Sequence, residues 1–135
     1  MKRLGRIAGI FMFALAVCGG AIATGKTDKP KKETAVIEFT ELVKLDGVLL
    51  RGEYLVVHDE ERMARGEPCT AIYRGKVESA EKLVAAFHCV HMDRTRVNGF
   101  TVRLSQAGPP YGLREVQEIQ FAGSTVAHGV PNARG

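Results

Sequence analysis

Between Ala35 and Phe121 the apolar residues fall in short runs with a period of two, and turn-forming pairs keep interrupting them. Ile37 and Phe39 alternate with Glu38 and Thr40; Phe100, Val102 and Leu104 alternate with Thr101, Arg103 and Ser105. A strand sends successive side chains to opposite faces, so this pattern belongs to half-buried strands. Asp46-Gly47 separates Val43-Lys44-Leu45 from Val48-Leu49-Leu50 and favours positive φ, which predicts a tight hairpin. Arg51-Gly52 reads as another turn. Glu53 to His58 is rich in β-branched and aromatic residues and reads as a largely buried strand. Cys69 to Tyr73 and Arg114 to Phe121 read as further strands, the latter with Ile119 and Phe121 inside. Ala107 to Gly112 is a turn-rich loop.

One short helix interrupts this rhythm. Asp59 can cap it, Glu60 and Glu61 suit its first turn, Arg62 and Arg65 its end, and Gly66 its stop. Lys82 to His91 fits either period. Leu83, Ala86, Phe87 and Val90 have helical spacing, but the surrounding strands favour one buried strand through Val84, Phe87, His88, Cys89 and Val90. About six or seven short strands with one short helix predict a mainly β chain, a small antiparallel sandwich or barrel.

The ends read differently. Lys2, Arg3 and Arg6 precede an apolar stretch from Ile7 to Val17, and Ala21-Ile22-Ala23 offers a small–x–small cleavage site. Residues 1–23 are therefore expected to be an export signal, leaving no stable transmembrane segment after processing. Leu15-Ala16-Val17-Cys18 is a weak lipobox, with bulky Val17 where a small residue is wanted, so lipid anchoring at Cys18 is a minor alternative. The expected address is periplasmic or extracellular. Residues 24–34 read as a flexible Lys-rich leader, 35–128 as a single β-rich domain and 129–135 as a frayed tail.

Charge excludes one class of partner. The chain carries 19 basic and 15 acidic side chains, but seven of the basic and two of the acidic ones precede Ala35, leaving 12 against 13 in the body. A balanced body gives no electrostatic case for nucleic acid. The expected partner is an envelope protein or a small ligand.

Cys69 and Cys89 carry the chemistry. If the strands that hold them form a hairpin, its midpoint falls at residue 79 and the two cysteines oppose each other, with Glu67 opposite His91 on the same face, Ala71 opposite Phe87, and His88 on the other face towards Thr70. In an oxidising compartment an even pair of thiols points first to a disulfide, worth about 2–4 kcal/mol. The alternative is a copper or zinc site built from Cys69, Cys89, His91, His58 and His88, since thiolates and imidazoles suit those metals. Met63 and Met92 can add thioether ligands for Cu(I). A helix over 82–91 would put His88, His91 and Met92 on one face and favour metal.

A cysteine nucleophile paired with histidine ranks below both. Cys-x-x-Cys, His-Glu-x-x-His, Gly-x-Ser-x-Gly and phosphate-loop patterns are all absent from the sequence, so a catalytic set is not expected and a hydrolase ranks last. His58 reads as a half-buried strand end, Asp59 as a cap and Met63 as core. His58, Met63 and His128 are nonetheless candidates for lining a pocket, together with Phe121 to Ser124.

Three stretches, Glu53–Thr70, Phe87-His88-Cys89 and Glu118–Pro131, resemble a group of small exported bacterial proteins of unknown function. The resemblance implies an exported β-rich domain and supports pairing the two cysteine segments. It implies no substrate, cofactor or functional residue. The expectation is a non-enzymatic binding or structural module of the envelope, braced by Cys69–Cys89, with no cofactor; the runner-up is the copper or zinc protein.

Overall fold

A computed structural model describes residues 31–106, 112–131 and 133. The expected export segment, Cys18, most of the leader and residues 107–111 of the expected loop lie outside the described residues. Among the described residues no helix is long and apolar enough to cross a membrane.

The fold is mainly β, as the alternation predicts. β1 (Lys32–Leu45) and β2 (Val48–Asp59) are the long strands, joined where Leu45 pairs with Val48. Asp46 and Gly47 between them have φ of 48° and 83°, the two positive values that the Asp-Gly pair favours. β1 starts at Lys32, so the last residues assigned to the leader are strand. They pair with the end of β2, Lys32 with Asp59 and Thr34 with Val57, so the partner strand organises them despite their polarity.

Gly52 is not in a turn. It has φ 106° and lies inside β2 opposite Phe39, where the register slips between Phe39 and Val43. β1 carries the extra residues there, so Gly52 bends a continuous ladder instead of reversing it.

The short helix α1 (Glu60–Ala64) forms as expected, with the Asp59 carboxylate accepting from the Glu61 amide at 2.9 Å. Gly66 follows at φ 78°. The chain continues through β3 (Thr70–Arg74), a single 3-10 turn at Ala80–Lys82, β4 (Leu83–Phe87), β5 (Val90–Asp93), β6 (Thr101–Leu104), β7 (Arg114–Gln120) and β8 (Val126–Gly129). From Leu83 the run is built of strand, not helix, but it makes two strands with different partners. β4 pairs with β3, and β5 with β8.

That split explains the architecture. The strand path runs β4-β3-β2-β1-β7-β8-β5, with β6 attached to β7. The pairs are antiparallel except for a short parallel contact of β1 with β7. β4 and β5 lie at opposite ends of the path, yet only His88 and Cys89 separate them in sequence. Three residue steps span at most about 11 Å. The sheet must therefore curl until its two ends approach, giving a half-barrel with a seam at His88-Cys89.

The concave side holds the core. Phe39, Val43, Leu45, Leu50, Tyr54, Val56, Ile72, Phe87, Val116, Ile119 and Phe121 form one buried cluster. Leu55, Val57, Ala71 and Tyr73 bury a smaller cluster on the alternate positions of β2 and β3. Burying Leu-, Val- or Phe-sized groups stabilises by roughly 1.5–3 kcal/mol each, so closure of the sheet is the main source of stability. The expected fraying at residue 129 is corrected too. Gly129 belongs to β8, and Val130 is buried, its amide donating to the Gln117 carbonyl at 2.8 Å.

Candidate metal centre

The seam gathers the reactive side chains. His58 ends β2 on the concave face and pairs across with Thr70. The α1 loop is closed by the Asp59 amide donating to the Cys69 carbonyl at 2.8 Å, which holds Cys69 beside His58. Cys89 occupies the link between β4 and β5. His128 lies on β8, on the same face as Ile119 of the adjacent β7. Four elements thus converge at one point.

The distances are short. Cys69 Sγ lies 2.6 Å from Cys89 Sγ; both are free thiols and no disulfide is formed. Cys89 Sγ is 3.5 Å from His128 Nδ1 and 4.0 Å from His58 Nδ1. The ligand atoms of His58, Cys69 and Cys89 all lie within 4.8 Å of one another, an arrangement that can hold a metal ion. The Cys89 amide donates to Cys69 Sγ at 3.3 Å, and the Thr70 hydroxyl lies 3.3 Å from His58 Nδ1 and 3.5 Å from Cys69 Sγ.

The cysteines meet, but not as a strand pair. The observed register sets Thr70 opposite Phe87 and Ala71 opposite Ala86, one residue away from the expected alignment. Cys89 reaches Cys69 only because the chain leaves β4 after Phe87. Glu67 does not share the site, being bound to Arg65 at the surface, whereas His91, on β5, lines the cavity that opens on the cluster. His88 is exposed at the corner, and the helix that would align it with His91 and Met92 does not form. His91 pairs across from His128, with Nε2 3.3 Å from Asp93 Oδ1.

His58 is fully buried, at 2 % exposure, where a half-buried strand end was expected. The sheet curls β8 over it, so the two imidazoles stack with centroids 3.8 Å apart. Phe121 closes behind, 6.5 Å from His58 and 5.9 Å from His128. This surround sets the protonation. Burial pushes the His58 imidazole below its ordinary value, against Glu60 and Asp59, which raise it. Burial, with His58 and His91 adding, pushes His128 down to about 4. Burial and the neighbouring Cys69 sulfur push the Cys89 thiol up to about 12. A buried group resists charge unless an opposite charge accompanies it. At neutral pH the site therefore holds two neutral imidazoles beside the protonated Cys89 thiol.

A cavity of about 410 Å³ opens above these groups. Cys89, His58 and His128 line it, and Cys69 does not. Met63 is half exposed at this cavity, where core packing was expected, because α1 is too short to turn it inward. Among the described residues, His128 Nε2 is the buried side-chain polar atom left without a partner. Sequence reasoning placed His128 in a pocket but not among the ligands. It lies 39 residues from Cys89, a separation with no local pattern.

An ion pair steadies this end of the sheet. Glu118 on β7 takes two bonds from Arg94, at 2.7 and 2.9 Å, and is 5 % exposed. The guanidinium holds its carboxyl below the usual carboxylate range. Arg94→Ala strands a buried carboxylate, although Arg103 at 3.7 Å compensates in part. We expect a loss of about 2 kcal/mol by urea unfolding, less than a wholly abandoned buried charge costs. Combining it with Glu118→Gln should recover part of that loss, and no recovery would show that the pair is not the cause.

The fold and site together define a curled β half-barrel with a Cys/His cluster at its seam. No family model, curated protein or solved structure matches the chain.

Proposed function

We propose that the protein binds a divalent borderline-soft cation, zinc above all, through Cys69, Cys89 and His58, with His128 as fourth ligand. The convergence of these four side chains from four elements is the observation that supports it. Two thiolates and imidazole are a zinc or copper donor set, and a four-coordinate S2N2 shell is a structural zinc shell. Charge separates Zn²⁺ from Cu⁺. Zn²⁺ with two thiolates and neutral imidazoles is neutral overall, whereas Cu⁺ leaves one uncompensated negative charge in a buried site, which is costly. Tetrahedral zinc needs the two sulfurs roughly 1 Å farther apart than they stand, within reach of side-chain rotation.

Cobalt tests this reading. Reduced protein titrated anaerobically with Co²⁺ should develop a thiolate-to-cobalt charge-transfer band that saturates at one equivalent and is abolished by equimolar zinc. Cys69→Ser and Cys89→Ser should each remove most of it. A featureless titration overturns the reading.

The sulfur contact favours a second reading, the disulfide-braced binding module of the envelope. Under it, protein from an oxidising compartment lacks two hydrogens in intact mass and takes up no metal until reduced.

A further inference from the structure

The two cysteines are not equivalent, and the difference does not depend on any metal. Cys89 is partly exposed and lines the cavity; Cys69 is 2 % exposed, absent from that lining, and in contact with the Cys89 sulfur from behind. His128 Nδ1 stands 3.5 Å from Cys89 Sγ at the cavity wall. The cavity wall carries Lys31 and Arg96 but also Glu33 and Glu60, so it presents both signs of charge to a visitor.

We propose that the cavity is a thiol–disulfide exchange site for small zwitterionic disulfides, with Cys89 as the entry thiol and Cys69 as the resolving thiol. The wall cations suit the carboxylates of an amino-acid disulfide such as cystine, and the wall carboxylates its ammonium groups. In the first step the Cys89 sulfur attacks one sulfur of the bound disulfide. Its proton passes to the departing sulfur, a mixed disulfide forms at Cys89, and one small thiol leaves. In the second step the Cys69 sulfur attacks Cys89 Sγ, the Cys69–Cys89 bond forms, and the second small thiolate leaves. The two released protons end on the two small thiols. The small disulfide is reduced by two electrons and the protein dithiol is oxidised by two.

The test uses metal-free reduced protein, so its outcome is separate from that of metal binding. Cys69→Ser treated with cystine should accumulate a single cysteinyl adduct at Cys89, at least tenfold faster than Cys89→Ser acquires one at Cys69. Wild type should lose two hydrogens without accumulating an adduct. Relative to the rate of each reagent with a free small thiol, cystine should outpace the neutral 2-hydroxyethyl disulfide on Cys69→Ser. Unfolding in urea should abolish both differences. The alanine variants repeat the comparison where a serine variant fails to fold. Equal adduct rates at the two positions in folded protein, no adduct at either, or no preference for the zwitterion overturns the proposal.

Discussion

The zinc affinity of the reduced protein is expected to climb about 100-fold per pH unit from pH 6 to pH 8. A thiol binds metal as thiolate, so a proton must leave each cysteine ligand that is protonated beforehand. The Cys89 thiol is pushed up to about 12 by burial and by the sulfur beside it. Protein thiols without an activating charge are mainly protonated below pH 8. Two protons released per zinc give two decades per unit. His128, held at about 4, adds nothing to this slope, and burial lowers His58 so that it adds less than an ordinary imidazole would. Ordinary imidazoles would steepen the curve towards pH 6. Competition with a chromophoric chelator at several pH values measures the slope. A slope near one would mean that a single thiolate binds, and a slope that steepens towards pH 6 would mean that the imidazoles are not held neutral.

Acid should loosen the metal-free fold before its carboxylates titrate. His128 is 6 % exposed and its folded value of about 4 lies below the ordinary 6.5. Between those values the unfolded chain binds a proton that the folded chain refuses, so stability rises with pH there. The contribution is fully present above pH 6.5 and is lost as pH falls to about 4. Its size is about 3 kcal/mol, from 1.36 kcal/mol per unit of difference. His58 shifts in the same direction and adds to the loss. Urea midpoints from pH 7 to pH 4 should fall more steeply for wild type than for His128→Gln, which has no imidazole to protonate. Parallel curves for the two proteins would remove His128 as the cause.

Much of the fold was legible because alternation and turn chemistry are local. Asp46-Gly47 forces its hairpin through backbone preference alone, and Asp59 caps α1 with its own side chain. Legibility ended where closure of the sheet decides. Lys82 to His91 reads as one segment, and nothing in it marks the break at His88-Cys89. The break exists because the flanking segments find partners at opposite ends of the strand path. Gly52 read as a turn because positive φ is common to turns and bulges, and only the partner strand distinguishes them.

The site was legible in the same measure. Cys69, Cys89 and His58 were candidates from residue type, and the structure brings them together. His91 and His88 were candidates by proximity in sequence to Cys89. The corner leaves His88 exposed, and His91 lines the cavity opposite His128 with its Nε2 beside Asp93, so His128 is the imidazole that meets the Cys89 sulfur. Its arrival depends on β8 folding back over β2, a contact between segments far apart in the chain. Met63 lines the cavity, as its pocket reading has it, and not the core, because a helix of five residues has no inward face long enough to bury it.

Zinc-edge X-ray absorption on the protein loaded with one equivalent of zinc under reducing conditions reads the donor atoms themselves. Cys69, Cys89, His58 and His128 should give two sulfurs at about 2.3 Å and two nitrogens at about 2.0 Å. A shell of oxygen and nitrogen alone, or one holding a single sulfur, contradicts a metal centre at the seam.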